Sequence, residues 1–229
     1  MKKDRLRFRV GAVLIGLATV GISQATVVIS DSTFANANWS LSVLTSGSAT
    51  TNITATQTNF FGNPAPSRRQ SSTIGAGGVE VLAAHQYLAA TIDPGSFALN
   101  EMRFTMDLTG AATTQYSFAI WQNGFLYASP FMTKGSSSQL TFTSGVISAL
   151  DFAEVLGAGG PAVNTMSNPE WGPTGSAFSV GILLYNNYPS SANGLHTIDN
   201  FVVEVNPVPE PSLLLVGGLA LAAIRRRMR

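Results

Sequence analysis

From Thr26 to Val205 the apolar residues alternate with polar ones over short stretches separated by turn residues, and no window holds a helical period for more than a few turns. The clearest stretch is Tyr116-Ser117-Phe118-Ala119-Ile120-Trp121, followed by Gln122-Asn123-Gly124-Phe125 and Leu126-Tyr127-Ala128. Asn123-Gly124 suits a type I′ turn, whose two central residues need positive φ, so a two-residue hairpin is predicted. Its register sets Gln122 opposite Phe125, Trp121 opposite Leu126 and Ile120 opposite Tyr127. Tyr116, Phe118, Ile120, Phe125 and Tyr127 then share a core face, while Trp121 lies on the opposite face among small residues.

A second pair of strands is expected where Tyr87 to Ile92 meets the turn Asp93-Pro94-Gly95-Ser96 and continues at Leu99 to Leu108. There Met102, Phe104, Met106 and Leu108 alternate with Glu101, Arg103, Thr105 and Asp107, the pattern of a half-buried strand. Further strands are expected at Gln139 to Thr143, Phe178 to Tyr185 and Thr197 to Val205, with a short helix within Val146 to Leu156. Gly75-Ala76-Gly77-Gly78 and Gly157-Ala158-Gly159-Gly160 read as turns, since neither has the lysine or spacing of a phosphate loop. Closely spaced strands of this kind predict an all-β fold, an antiparallel β-sandwich of jelly-roll type, over residues 26–205.

Composition narrows the chemistry. Of 229 residues only 11% are charged, under half the roughly 25% of an ordinary globular chain. The absence of cysteine removes disulfides, thiolate metal sites and cysteine nucleophiles, and leaves His85 and His196 as the only imidazoles. They are separated by 110 intervening residues with no serine elbow beside either, so a hydrolytic triad is not indicated. The formal charge of +1 hides a partition: basic residues cluster at both ends, while Thr26 to Val208 holds four basic residues against ten acidic ones. A body of that sign lacks the basic face that neutralises phosphates, so nucleic acid is not an expected partner.

The two ends read as addresses. Lys2, Lys3, Arg5, Arg7 and Arg9 precede an apolar run from Val10 to Ile22, and Ser23-Gln24-Ala25 places small residues at a cleavage site, so residues 1–25 are expected to be a signal peptide, with signal peptidase and the export machinery as partners. At the other end Asn206-Pro207-Val208-Pro209-Glu210-Pro211-Ser212 leads into an apolar run, Leu213 to Ile224, closed by Arg225, Arg226 and Arg227. The prolines fix their own φ and extend their predecessors, which displays the Glu210 carboxylate on a stiff strand. As a helix, 213–224 would be about 18 Å long, short for a ~30 Å hydrocarbon core and suited to a transient transmembrane anchor, with the arginines held on the cytoplasmic side.

This tail resembles the PEP-CTERM sorting signal of Gram-negative bacteria, in which a Pro-Glu-Pro motif, an apolar helix and a basic end are read by exosortase. Pro209, Glu210 and Pro211 correspond to the motif, 213–224 to the helix, and Arg225 to Arg229 to the basic cluster, so that 206–229 is the sorting segment. The resemblance implies export, an inner-membrane intermediate, processing near the motif by a membrane protease, and a destination at the cell surface or in the exopolysaccharide matrix of a biofilm.

Asp31, Phe34 and Trp39 near the start of the body, with Ile198-Asp199-Asn200-Phe201-Val202-Val203-Glu204-Val205 at its end, resemble the opening and closing strands of carbohydrate-binding and lectin-like jelly rolls. That resemblance implies glycan binding and a structural calcium, with Asp199 as one ligand and Asp31 as a second; no other cofactor is expected. Sugars are held by flat aromatic faces beside amides and carboxylates, which makes Trp121, Trp171, Tyr185 and Tyr188 the candidate ligand contacts and Trp39 a core residue. Trp171 lies in the loop Asn168-Pro169-Glu170-Trp171-Gly172-Pro173, Asp151 and Glu154 on one face of the expected helix, and Arg68-Arg69 in a loop that reads as a surface turn, with contact to acidic polysaccharide as the other reading. The leading expectation is a non-catalytic exported glycan-binding protein. A secreted polysaccharide-acting enzyme, with two of the ten carboxylates flanking a cleft, and a purely structural matrix protein stand as alternatives.

Overall fold

The computed structural model describes residues 27–60, 66–96, 99–159 and 162–206. The expected signal peptide, and Pro209, Glu210, Pro211, Arg225, Arg226, Arg227 and the 213–224 segment of the sorting tail, lie outside the described residues. Among the described residues no helix is long and apolar enough to cross a membrane.

The body is all-β. Its strands are β1 (Val27–Asp31), β2 (Trp39–Gly47), β3 (Thr51–Thr58), β4 (Ser67–Ile74), β5 (Val79–Tyr87), β6 (Met102–Thr109), β7 (Gln115–Gln122), β8 (Phe125–Ala128), β9 (Met132–Thr133), β10 (Leu140–Thr143), β11 (Ala153–Gly157), β12 (Ala162–Asn164), β13 (Phe178–Tyr188) and β14 (Ala192–Val205). One sheet has the order β10-β6-β14-β4-β3, with β1 also on β14; the other has the order β12-β11-β8-β7-β13-β5-β2, with β9 on β7. Every pairing is antiparallel. Four pairs nest along the chain, β4 with β14, β5 with β13, β6 with β10 and β7 with β8, and successive pairs alternate between the sheets. An antiparallel ribbon wrapped in this way is a jelly roll.

The core lies between the sheets. Met102, Phe104, Met106 and Leu108 of β6 face Phe118 and Ile120 of β7 and Val180, Ile182 and Leu184 of β13, all with no exposed surface, and Phe104 stacks on Phe118 at 5.0 Å. The alternation in 102–108 therefore has the period it predicted. At one end Trp39 packs with Phe34, Tyr87 and Phe201. The hairpin forms with the predicted register, and Asn123 and Gly124 take φ of 55° and 83°.

Several expectations are corrected. Phe125 is 51% exposed, because the 168–176 loop docks on its partner Gln122 and fills that end of the core: the Gln122 amide donates to the carbonyls of Glu170 and Ser176 and accepts from the Glu170 amide. In place of a helix in 146–156 there is a single 3₁₀ turn, Ala149–Asp151, closed by the Asp151 carboxylate on Ser148, and then β11, which pairs with β8. Asp151 and Glu154 therefore share no helix face. The strand expected at Tyr87 to Ile92 lies earlier, as β5, and Ile92 contributes one bridge to Phe178. Arg68 and Arg69 open β4; Arg68 is 2% exposed, inside the sandwich, with its guanidinium 5.6 Å over the Trp39 ring.

Candidate functional site

The outer face of the β2-β5-β13-β7-β8 sheet is where the structure brings together a half-buried aromatic and hydrogen-bonding groups. Alternation in β13 sends Phe178, Val180, Ile182 and Leu184 inward and Ser179, Gly181, Leu183 and Tyr185 outward. Pairing then fixes the outer neighbours: Gly181 lies between Gln86 and Ala119, and Ser179 lies opposite Trp121. Gly181 is needed there. A Cβ on it would sit 2.9 Å from Cζ3 of Trp121 and 2.0 Å from the His85 carbonyl oxygen, so the bare backbone lets the indole lie across β13. Beside it the Ser40 hydroxyl donates to Gln86 Oε1 at 3.3 Å, and Gln86 Nε2 donates to the Ser179 hydroxyl at 2.6 Å. Trp121 is half-buried, as are Ser40 and Gln86.

Farther along the same face Leu82, Ala84, Leu183 and Tyr185 form a second apolar cluster with Ala158, which follows β11, and both Val155 of β11 and Trp121 pack against it. The Tyr185 hydroxyl donates to Glu80 at 2.8 Å, and a Cβ on Gly159 would be 3.6 Å from both Glu80 Oε2 and Ser46 Oγ. The 157–159 turn thus reaches over the sheet to β5 and β2 and covers the Tyr185 end, while Trp121, packed against the same cluster, stays partly exposed.

Of the four aromatics expected to contact ligand, Trp121 and Tyr185 share this face, and the other two do not. Trp171 is 7% exposed and packs into the core against Phe152 at 5.9 Å and Phe178 at 6.4 Å, so its loop delivers the ring inward instead of presenting it. Its edge lines a depression of about 350 Å³ beside Pro94, Leu99 and Asn100. Tyr188 packs with Ile74, Val79 and Val81 at the end of the core. Gln86, Ser40 and Ser179 were absent from the sequence reading. Their only signal was small polar residues alternating with apolar ones, and their convergence depends on β5 meeting β13 across 93 residues.

The two aspartates expected to share a calcium ion point to opposite faces of their sheet. Asp31 pairs with the inward Phe201, and its carboxylate accepts from the Thr33 amide and hydroxyl, the Phe34 amide and the Trp39 indole at 2.7–2.8 Å. Burial raises its pKa, but these hydrogen bonds outweigh it and hold the carboxyl below its ordinary value. Asp199 pairs with Asp107, an outward residue of β6 whose carboxylate accepts from Gln139, Thr141 and Asn200. Asp31 thus acts as a turn anchor, and among the described residues no three His, Cys, Asp or Glu side chains gather as a metal-binding group.

No protein-family model and no curated protein matches the chain. Among solved structures it is similar to a family 11 carbohydrate-binding module from Clostridium thermocellum in complex with a β-1,3-1,4-mixed-linked tetrasaccharide, at 14% identity and a TM-score of 0.43, covering 78% of this chain and 94% of that one. The family 11 module of the cellulosomal cellulase Lic26A-Cel5E of the same organism gives 15% identity and a TM-score of 0.42, over 72% and 86% of the two chains. An exo-β-agarase gives 12% and 0.42, with 80% of this chain covered but 25% of that one. All three scores lie below 0.5, so ligand chemistry has to come from this chain's own residues.

Proposed function

We propose that the protein is an exported, non-catalytic glycan-binding component of the cell surface or exopolysaccharide matrix, sorted by exosortase through its C-terminal tail. The observation that carries the binding reading is the Trp121 indole lying over Gly181 beside the Ser40-Gln86-Ser179 hydrogen-bond chain. A sugar ring offers apolar C–H faces and equatorial hydroxyls. An indole face covers the former, and an amide with two hydroxyls orients the latter by donating and accepting. No charged group is part of that chain, which fits a neutral saccharide. The sorting reading rests on the order signal peptide, folded body, Pro209-Glu210-Pro211, apolar run and arginine cluster in the sequence.

A glycan array of neutral β-linked and matrix polysaccharides tests the binding reading. Wild type should retain a subset of ligands, and Trp121→Ala should lose them by tenfold or more in affinity while keeping its thermal transition. Equal retention by both proteins, or none by wild type, rejects the site.

A further inference from the structure

We infer that β2 and β3 form a docking edge for a second copy of this chain, which would extend both sheets of the sandwich at once. Long edge strands are normally protected by charge, proline or a bulge, or are kept short. The edges at β10 and β12 are short, at four and three residues. The opposite edges are not: β2 has nine residues, Trp-Ser-Leu-Ser-Val-Leu-Thr-Ser-Gly, and β3 has eight, Thr-Asn-Ile-Thr-Ala-Thr-Gln-Thr, with no charge and no proline in either. Their ladders to β5 and β4 run without a register shift.

The backbone direction in β3 follows from its hydrogen bonds. The Gln57 amide leaves the sheet to reach Asn36 Oδ1, and the Gly75 amide donates to the Thr50 carbonyl, so even-numbered residues bond to β4 and odd-numbered ones point outward. Asn36 blocks the edge at Gln57, which leaves Thr51, Ile53 and Ala55 as the outward groups. Three outward residues centred on Ile53 are self-complementary about a two-fold axis: Ile53 meets its own image, and Thr51 meets Ala55 of the other copy. Asn52 and Thr54 then face each other across the junction, a polar pairing with no like charges.

The geometry and charge of these edges favour a second copy over an extended peptide. β2 and β3 end the two sheets on the same side, joined through residues 48–50, so a two-fold axis normal to the sheets brings both edges against their own images. A lone peptide would extend one sheet only. The body holds ten acidic residues against four basic ones, so two copies repel on most approaches; these uncharged edges are where they do not.

Site-specific cross-linking of the full chain in mild detergent tests this, because the protein has no cysteine. Thr54→Cys, treated with a short bifunctional thiol reagent, should give a covalent dimer at least fivefold more abundant than Thr143→Cys on the far edge. Ala55→Pro in the Thr54→Cys background removes an outward N–H without touching the ladder to β4, and should reduce the dimer fivefold or more with an unchanged circular dichroism spectrum. If that variant misfolds, Asn52→Lys with Thr54→Lys, at two exposed positions, sets lysines opposite each other; these should abolish the concentration-dependent protection of the Ile53 and Ala55 amides from hydrogen exchange. Equal dimer yields from the two cysteine positions, as association through the apolar ends would give, or protection that survives the lysines, overturns the proposal.

Discussion

Single side chains decide how the interior tolerates polar groups. Asp31 takes four donors at once, including the buried Trp39 indole, so Asp31→Ala leaves those donors without an acceptor and should cost about 3 kcal/mol in denaturant unfolding. Its folded pKa lies below the unfolded value, so its contribution is present above about pH 4 and is lost as pH falls through the folded pKa. The histidines act in the same direction for another reason. His85 accepts from the Arg68 guanidinium at Nδ1, 3.0 Å away, and therefore carries its proton at Nε2, 2.7 Å from the Gln70 carbonyl oxygen; burial and Arg68 keep it neutral. His196 is pushed down to about 4 by burial and by Lys134. A histidine depressed in this way stabilises the fold fully above about pH 6.5 and loses that contribution as pH falls toward 4, worth about 3 kcal/mol for His196. Urea titrations from pH 7.5 to 4 should show this fall, and His196→Leu should flatten it; a stability independent of pH over that range contradicts the assignment.

At the scale of the strand, legibility followed how a strand is used. β6, β7, β8, β13 and the end of β14 put bulky apolar residues on one face against the opposite sheet, and period two was plain in the sequence. β2, β3 and β4 are rich in serine and threonine and bury little or bury polar groups, so no apolar alternation marks them as strands. The Arg68-Arg69 pair misled for this reason: stacking on Trp39 and the bond to His85 let a guanidinium occupy a core position that charge alone would forbid. Trp121 was legible because its neighbours on that face are small. The polar groups beside it were not, since they come from strands far apart in sequence. Trp171 misled because its proline-rich loop, which reads as a surface presenter, turns its ring into the core. The close contact at Gly181 gives the element-scale prediction: Gly181→Ala forces the His85 carbonyl and the Trp121 indole apart, lowers stability by about 3 kcal/mol and displaces the indole, so thermal stability and glycan affinity should fall together.

For the whole molecule, the all-β class of the body was legible in its alternating short strands, while the basic and apolar ends carry the compositional marks on which the proposed sorting rests. The jelly-roll wrapping was legible as a class, from strand spacing, but the nesting of β4 with β14 and β5 with β13 is a long-range property that local pattern does not encode. The sorting reading belongs to this scale. In the native host, intact mass should show wild type truncated near Pro209 and located outside the inner membrane, with Glu210→Ala retained there at full length. Both proteins keeping the arginine tail in the inner membrane would contradict it.

The central claim, glycan binding at Trp121, has a built-in reporter. Trp39 and Trp171 are 5% and 7% exposed, and Trp121 is the half-buried indole. Titration of tryptophan emission with neutral oligosaccharides prepared from the host matrix should give a saturable blue shift in wild type that Trp121→Phe abolishes. An unchanged spectrum at millimolar saccharide, or a shift that persists in Trp121→Phe, would contradict the account.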